Sequence, residues 1–545
     1  MAEITADRIL PIKQNDELFR LKLNEILTRT AGIITPLQFG DKSETDDSAT
    51  VADAIAYAED TGQTVFLPNV GAPWILDALT SAAPIVAWGG LFWKANAQVP
   101  MLTMSESLLV ANIINGNEAN NGDAVTDETE MISVENATGK LFDFAGAIAT
   151  GIPSALLFTD EFSANGRIMA PALSYDCIGA GQFIALCCKG WQVYGLNTEN
   201  VCNGDGWVVR VGHFNAQDRS EDISDTKIIA PRIVGNANGD QTSGSGILCE
   251  LDAHDTVVVS PTLKQLYAAF KLESVAADPT CNTDGLTVTD MDCEDLYATV
   301  NTFSLKGSRT HVTGTWRGQG IAELGDDAYW NVDVNGGGIT GDAPVKLRGP
   351  RARVFGNIIN PVQDGVKIEP EAPNSRVDVY VEGCTTDCID SAAEECNLKV
   401  IVNGAPAAGI RLRSTATENT IARDSFFDGA TDKVASAVTD GSCTYQRPGF
   451  LDRTSDANST LTSNTNPVNV VHSGTLTGTR NLTLATTGSG YGAEFIIRRT
   501  GGGAFNLLVK DPGGTTLATM ATNDCVHARN ENGTWFILRQ WVPPA

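Results

Sequence analysis

The stretch that decides the fold runs Thr35-Pro-Leu-Gln-Phe-Gly-Asp-Lys-Ser-Glu-Thr-Asp-Asp-Ser, then Ala49-Thr-Val-Ala-Asp-Ala-Ile-Ala-Tyr-Ala-Glu-Asp-Thr-Gly, and closes with Gln63-Thr-Val-Phe-Leu-Pro. Read physically, it is a short strand, a polar turn, a capped helix and a second strand. Asp47 or Ser48 caps the helix, Val51, Ile55 and Ala58 share one of its faces, and Gly62 ends it. Thr64–Leu67 is a β run that Pro68 stops.

Working outward, the chain carries a period. Leu324, Leu347, Ile368, Ser391 and Leu412 recur at steps of 23, 21, 23 and 21. A second set, Val332, Val354, Val377, Val400 and Ile421, recurs at 22, 23, 23 and 21. Three residues beyond each member stand Asn335, Asn357, Tyr380, Asn403 and Asp424, which predicts a ladder of stacked polar side chains at a turn. Two registers keeping one period through five coils point to a solenoid. Ile247, Phe270 and Leu286 with Val288 continue the rhythm upstream, whereas residues 100–235 hold strands without a clean repeat. The Gly- and Asn-rich runs at 115–122 and 235–246 read as loops thrown out from coils.

The opening segment resembles the start of pectate-lyase-like right-handed parallel β-helices. Phe39-Gly40, Thr45-Asp46-Asp47, the alanine-rich helix and Val65-Phe66-Leu67-Pro68 carry the resemblance over about 40 residues, and the turn at Asn69–Pro73 departs from it. The resemblance implies that the helix shields the first open coil, a need of any solenoid.

Before it, Phe19, Leu23, Ile26 and Thr30 share one face of a predicted helix over 16–29, too short to stand alone in water. After about Gly441 short runs such as Val468–Val471, Glu494–Arg498 and Thr534–Leu538 are separated by turns at Thr500-Gly-Gly-Gly and Asp511-Pro-Gly-Gly, which predicts an antiparallel β-sandwich. The expectation is therefore an all-β chain: a right-handed parallel β-helix trunk with a short N-terminal helix and a C-terminal antiparallel β-sandwich. It divides into 1–34, a virion-attachment segment; 35–105, the opening coils and capping helix; 106–440, the trunk; and 441–545, a sandwich for trimerisation or receptor binding.

Composition narrows the function. The 38 Lys and Arg against 66 Asp and Glu leave a net charge of −28 on 545 residues, which disfavours a nucleic-acid partner. No run of about eighteen apolar residues predicts a membrane span. The first residues lack the basic-then-apolar order of a signal peptide, so synthesis and folding in a cytoplasm are expected. Twelve cysteines without a CxxC spacing read as small buried hydrophobes, with zinc second; no metal or other cofactor is called for.

The order of parts resembles a bacteriophage tailspike, which implies a homotrimer on a virion tail, joined to other tail proteins through residues 1–34 and directed at a bacterial surface polysaccharide. Glycosidic hydrolysis needs two carboxylates, one of them protonated, with aromatic rings nearby for sugars. Glu323, Asp326 and Asp327 with Trp316, Tyr329 and Trp330 are the best local concentration. Gly325-Asp326-Asp327 and Asn282-Thr283-Asp284-Gly285 resemble pieces of the polygalacturonase signature, adding Asp284 to the catalytic candidates, although Asp284 and Asp326 stand 42 residues apart and that family's Gly-His-Gly and Arg-x-Lys motifs are missing. Short acidic turns also arise readily in a Gly-rich acidic chain.

Outward neighbours of the two apolar ladders form charged ones: Glu323, Lys346, Lys367, Asp390 and Arg411, and Asn331, Arg353, Arg376 and Lys399. Arg353, Arg376 and Lys399 read either as a groove for an acidic polysaccharide or as surface charges neutralised by Asp333 and Asp378. With Tyr380 they would alternatively serve a uronate lyase, which must neutralise a carboxylate and take a proton. His213, His254 and His311 read as coil-turn residues. A non-enzymatic fibre on the same scaffold is the remaining alternative.

Overall fold

The structure is a computed structural model that describes residues 32–94, 99–117, 130–152, 155–170, 172–173, 183–201, 207–212, 223–235, 244–250, 252–272, 283–296, 301–422, 425–427, 430, 432–436, 444–445, 450–463, 466–486, 493–531 and 533–542. The chain divides into two compact units, Met1–Tyr297 and Ala298–Ala545, each considered by itself. The predicted helix over 16–29, His213, Asn282 and Asp424 lie outside the described residues. Among those described, no helix is long and apolar enough to cross a membrane.

In the first unit the chain winds as a parallel β-helix whose coils carry three short strands until two of them merge in Thr287–Leu296. The opening follows the sequence reading: strand Ile33–Ile34, helix Ser48–Thr61 and strand Thr64–Leu67. Val51, Ala54, Ile55 and Ala58 are its buried face, and Gly62 ends it in the left-handed region at φ +65°. Ile33 and Ile34 already pair with Thr64 and Val65, so the solenoid begins inside the stretch assigned to attachment. Asp47 does not cap the helix with its side chain. Its buried carboxylate instead accepts the N–H of Ser43 at 2.7 Å, the N–H of Ile75 at 2.9 Å and Lys42 Nζ at 3.0 Å, stitching the polar turn to the strand Trp74–Leu76.

One buried ladder runs through the unit in register: Val65, Ile85, Leu108, Phe142, Ile168, Val193, Ile228, Val258 and Val288. Each full burial of such a side chain is worth about 1.5–3 kcal/mol, so the ladder is a main source of stability. Its steps run from 20 residues (Val65 to Ile85) to 35 (Val193 to Ile228), which is why no clean period is visible over 100–235. Ile247 pairs with Phe270 as expected, but Val288 belongs to the ladder of Val258, on a different strand of the coil. The coil corners turn through left-handed residues, Asn165 (φ 55°), Gly190 (73°), Asp225 (60°), Asp255 (48°) and Gly285 (74°), the residue types that tolerate such a φ best.

In the second unit two of the coil strands merge into one long strand, as in His311–Gly318, Tyr329–Gly336, Arg353–Ile359, Arg376–Glu382 and Asn397–Asn403. Shorter strands (Ile321–Leu324, Val345–Leu347, Val366–Ile368, Asp387–Ser391, Ala408–Leu412) form the facing sheet. The first expected ladder, Leu324 to Leu412, pairs in register throughout. The second is corrected: the paired column is Trp330, Val354, Val377, Leu398 and Ile421, so Val332 and Val400 stand one pleat away. A shift of two residues keeps a side chain on the same face, so a pattern of apolar residues alone cannot detect it. The paired steps are 24, 23, 21 and 23 residues, and in the first of them Gly356, at φ +113°, approaches the neighbouring strand so closely that a Cβ would lie 2.6 Å from the Val332 carbonyl oxygen. The polar turn ladder is likewise displaced, because Asn335, Asn357, Tyr380 and Asn403 lie within strands, and Asn335 pairs with Ile359 rather than with Asn357. The true corners are the left-handed Arg309, Asp327, Arg351, Asn374, Glu395 and Glu418.

The C-terminal part is a two-sheet sandwich around Leu461, Leu482, Phe495, Ile497, Val509 and Trp535. Uniformly antiparallel pairing was expected, and the sheets are mixed. Phe450–Arg453, Asn469–His472 and Glu494–Arg499 pair in parallel, as do Ser459–Leu461, Arg480–Leu484 and Leu507–Lys510. Antiparallel strands Thr516–Met520, Cys525–Glu531 and Thr534–Trp541 then complete the two sheets. The chain thus alternates between sheets as a solenoid does before its final hairpins. All eight described cysteines are free and buried, and burial pushes the Cys249 thiol up to about 12.

Candidate functional site

Alternate residues of the long strands in the second unit point outward, and pairing places them in columns. His311, Tyr329, Arg353 and Arg376 share the first column, in register on four successive coils. Asn331, Phe355, Asp378 and Lys399 form the second. The His311 and Tyr329 rings stack at 4.4 Å and 21°, Tyr329 and Phe355 lie 5.4 Å apart, and the Arg376 guanidinium sits 5.6 Å over the Phe355 ring. Each contact bridges neighbouring coils, whose strands are about 4.8 Å apart, so the rungs of the solenoid build one continuous aromatic and cationic stack.

The charges around this stack are unequal. Asp378 lies between Lys399 at 3.4 Å and Arg376 at 3.8 Å and is shared by the two cations. Arg353 is exposed and makes no ion pair with a described residue. Further along the strands, Asp333 accepts the N–H of Asn357 at 3.0 Å and its Nδ2 at 2.8 Å; Tyr380 donates its hydroxyl to Glu382 at 2.8 Å. The expected basic stripe is therefore corrected: Arg353 and Arg376 are column neighbours, but Asn331 and Lys399 stand in the adjacent column for the reason that displaced Val332 and Val400.

Trp316 and Trp330 are corrected as sugar-binding candidates. Both are fully buried inside the coil, edge-on to Phe303 at 5.0 and 5.5 Å, and offer no ring face to a ligand. They alternate in parity with Tyr329, which points outward.

The carboxylates fall into three situations. Glu323 is 3 % exposed and takes both Nε (3.1 Å) and Nη2 (2.8 Å) of Arg348, with Lys306 Nζ at 3.5 Å. Asp327 forms a bidentate pair, one oxygen to each nitrogen, with Arg351 at 2.6 Å for both contacts, and that guanidinium holds its carboxyl below the usual range. Asp326 is exposed beside it and accepts no hydrogen bond from a described side chain. In the first unit, Asp284 is nearly buried and meets His254 Nδ1 at 2.8 Å, a contact that fixes the ring. A hydrolytic acid must hold its proton near neutral pH, and carboxylates gripped by arginines do the opposite. Asp326 is the member of the 323–327 group left available for chemistry.

The charged ladder on the shorter strands is self-compensating. Lys346 and Lys367 stack in register, and Asp342 and Glu369 lie between them at 2.7–3.5 Å. Asp390 pairs with Arg413, and Asp387 with Arg411. Burial pushes the Asp387 carboxyl up against the pull of Arg411. Sequence reading passed over Phe355 and took His311 for a coil-turn residue, whereas it opens the strand His311–Gly318; the signal for both was the alternation that also places Tyr329 and Arg353 outward. Among the described residues no group of His, Cys, Asp and Glu is arranged to hold a metal ion.

No family model matches the chain, and no curated protein does. Solved structures with a similar course include a double mutant of the tailspike protein of E. coli bacteriophage HK620, at 10% identity over 76% of this chain and 79% of that one, with a TM-score of 0.48. The catalytic unit of a thermostable α-1,3-glucanase from Streptomyces thermodiastaticus matches at 12% identity over 76% and 70%, TM-score 0.32. The surface adhesin PfbA of Streptococcus pneumoniae matches at 9% identity over 93% and 99%, TM-score 0.28.

Proposed function

We propose that this chain is a bacteriophage tailspike that recognises a bacterial surface polysaccharide with the outward face of residues 311–403 and depolymerises it by glycosidic hydrolysis. The observation that carries recognition is the exposed stack of His311, Tyr329, Phe355 and Arg376 on four successive coils. Rings and guanidinium planes held in a row on a rigid solenoid suit a linear polymer, whose residues repeat along the same direction. In the hydrolytic step Asp326, exposed and accepting no hydrogen bond from a described side chain, activates water.

A second reading, recognition without cleavage, draws on one specific observation: Arg348 occupies Glu323 and Arg351 occupies Asp327, and Arg351 holds the Asp327 carboxyl below the usual range, away from the proton that a leaving sugar requires. Incubation with surface polysaccharide separates the two. New reducing ends that vanish in Asp326→Asn support hydrolysis; saturable binding with unchanged polymer length supports the adhesin.

The assembly belongs to the same proposal. A homotrimer would cover the exposed Phe536, Leu538 and Val542 on and beside the edge strand Thr534–Trp541. Residues 1–31 would join other tail proteins, and deleting them is expected to leave a folded oligomer that no longer enters particles. A truncated chain that unfolds would count against that assignment.

A further inference from the structure

We infer that Arg353 and Arg376 form a subsite for the carboxylate of an acidic sugar, so that the polysaccharide read by this face is a polyanion. The inference rests on the proposed recognition of a polysaccharide by the same face, and names the chemical class of its ligand.

Three observations carry it. The first is like-charge adjacency with incomplete compensation. Arg353 and Arg376 are in-register partners on neighbouring strands, about 4.8 Å apart at the backbone, where two cations repel. The same unit contains a control. Lys346 and Lys367 are also in-register partners, and there the fold inserts Asp342 and Glu369 between them. Less is inserted beside the arginines: Asp378 lies 3.8 Å from Arg376 and nearer to Lys399, while Arg353 has no ion pair with a described residue and feels Asp327, whose two oxygens are already taken by Arg351, only at longer range.

The second is the sign of the patch against its background. In a chain with 66 acidic and 38 basic side chains, an arginine ordinarily finds a carboxylate, as Arg348, Arg351, Arg411, Arg413 and Arg480 do. A local excess of positive charge on a polymer-facing surface is what an anionic group would complete, and arginine's planar fork fits a carboxylate with two parallel hydrogen bonds.

The third is preorganisation. The Arg376 guanidinium already rests over Phe355, which rests against Tyr329 and through it His311. The side chain is held before any ligand arrives, so less rotamer freedom is lost on binding. The exposed edges of Tyr329 and Phe355 then adjoin the sugar that bears the carboxylate. The overall negative charge of the chain opposes approach of a polyanion from a distance but is screened beyond a Debye length of about 8 Å, within which the two guanidiniums dominate.

The experiment is an array of purified bacterial capsular and lipopolysaccharide O-chain polysaccharides, each immobilised in its native form and after chemical reduction of its carboxyl groups, probed with the full-length protein. The expected result is binding confined to acid-bearing members, lost on carboxyl reduction and weakened by added salt. The Arg353→Gln/Arg376→Gln variant, checked for an unchanged thermal unfolding transition, is expected to lose at least tenfold in affinity for those members. Binding to neutral members, or binding that survives carboxyl reduction, would overturn the anionic subsite while leaving polysaccharide recognition standing. Binding to no member in either form would overturn the recognition reading itself and the subsite with it.

Discussion

The guanidinium of Arg376 lies over the ring of Phe355, 5.6 Å from its centroid, although the two residues stand on different coils and 21 positions apart in the chain. Only the winding of the solenoid brings them together, and the same winding sets Tyr329 beneath Phe355 and His311 beneath Tyr329. The contact is therefore a property of the repeat, and it ties the binding surface to the register of the strands that carry it.

That dependence separates neighbouring aromatic residues on one strand. Trp330→Ala or Trp316→Ala empties a buried site against Phe303 and is expected to cost about 3–5 kcal/mol in urea unfolding. Tyr329→Ala, one residue away and facing out, is expected to leave the unfolding midpoint nearly unchanged while weakening polysaccharide binding. Equal effects of the tyrosine and tryptophan substitutions on stability would contradict the assignment of faces.

Asp47 is expected to be the most sensitive residue of the opening segment. Asp47→Ala leaves the N–H groups of Ser43 and Ile75 without their acceptor in a buried setting and should cost about 3 kcal/mol, measured on the first unfolding transition. Asp53→Ala, on the exposed side of the helix, is the control expected to change little.

The pair Glu323–Arg348 is expected to be structural. Arg348→Ala removes two hydrogen bonds from a carboxylate that is 3 % exposed and should destabilise by about 3 kcal/mol. Asp326→Asn should leave stability untouched. If Asp326→Asn unfolded the protein, its role would be packing and not chemistry.

The C-terminal sandwich should weaken in acid. His472 is buried between Arg453 and Arg499 on neighbouring strands, and burial, then the charge of Arg499, depresses its pKa. The unfolded chain binds the proton more readily, so this contribution is present above the unfolded pKa of about 6.5 and is lost as pH falls below it. Urea midpoints of the sandwich transition should fall from pH 8 to pH 5, and His472→Phe should flatten that profile. A profile unchanged by the substitution would assign the acid sensitivity elsewhere.

Much of this fold is legible in the sequence because a solenoid writes its core as a period. Leu324, Leu347, Ile368, Ser391 and Leu412 were readable as one ladder since the coils between them differ little in length. Where coil length varies, as between Val193 and Ile228, the same physics leaves no period to find. The site was less legible. Parity along a strand decides whether Tyr329 or Trp330 meets solvent, and a first step of 24 residues in place of 22 decides whether Arg353 meets Tyr329 or Asn331. Both depend on one or two residues in the backbone path, which composition and spacing do not record. The arginine clamps on Glu323 and Asp327 join residues 24 or 25 positions apart, and only the coil length identifies such partners.

The most direct test of the account is the binding of the full-length protein, and of its Tyr329→Ala/Phe355→Ala variant, to purified bacterial surface polysaccharides, with reducing ends and the ultraviolet absorbance of unsaturated uronates followed in the same samples. The account predicts saturable binding by the native protein, at least a tenfold loss in a variant that unfolds at the same temperature, and new reducing ends without the unsaturated product. Equal binding by the two proteins, or binding to none of the polysaccharides, would contradict it.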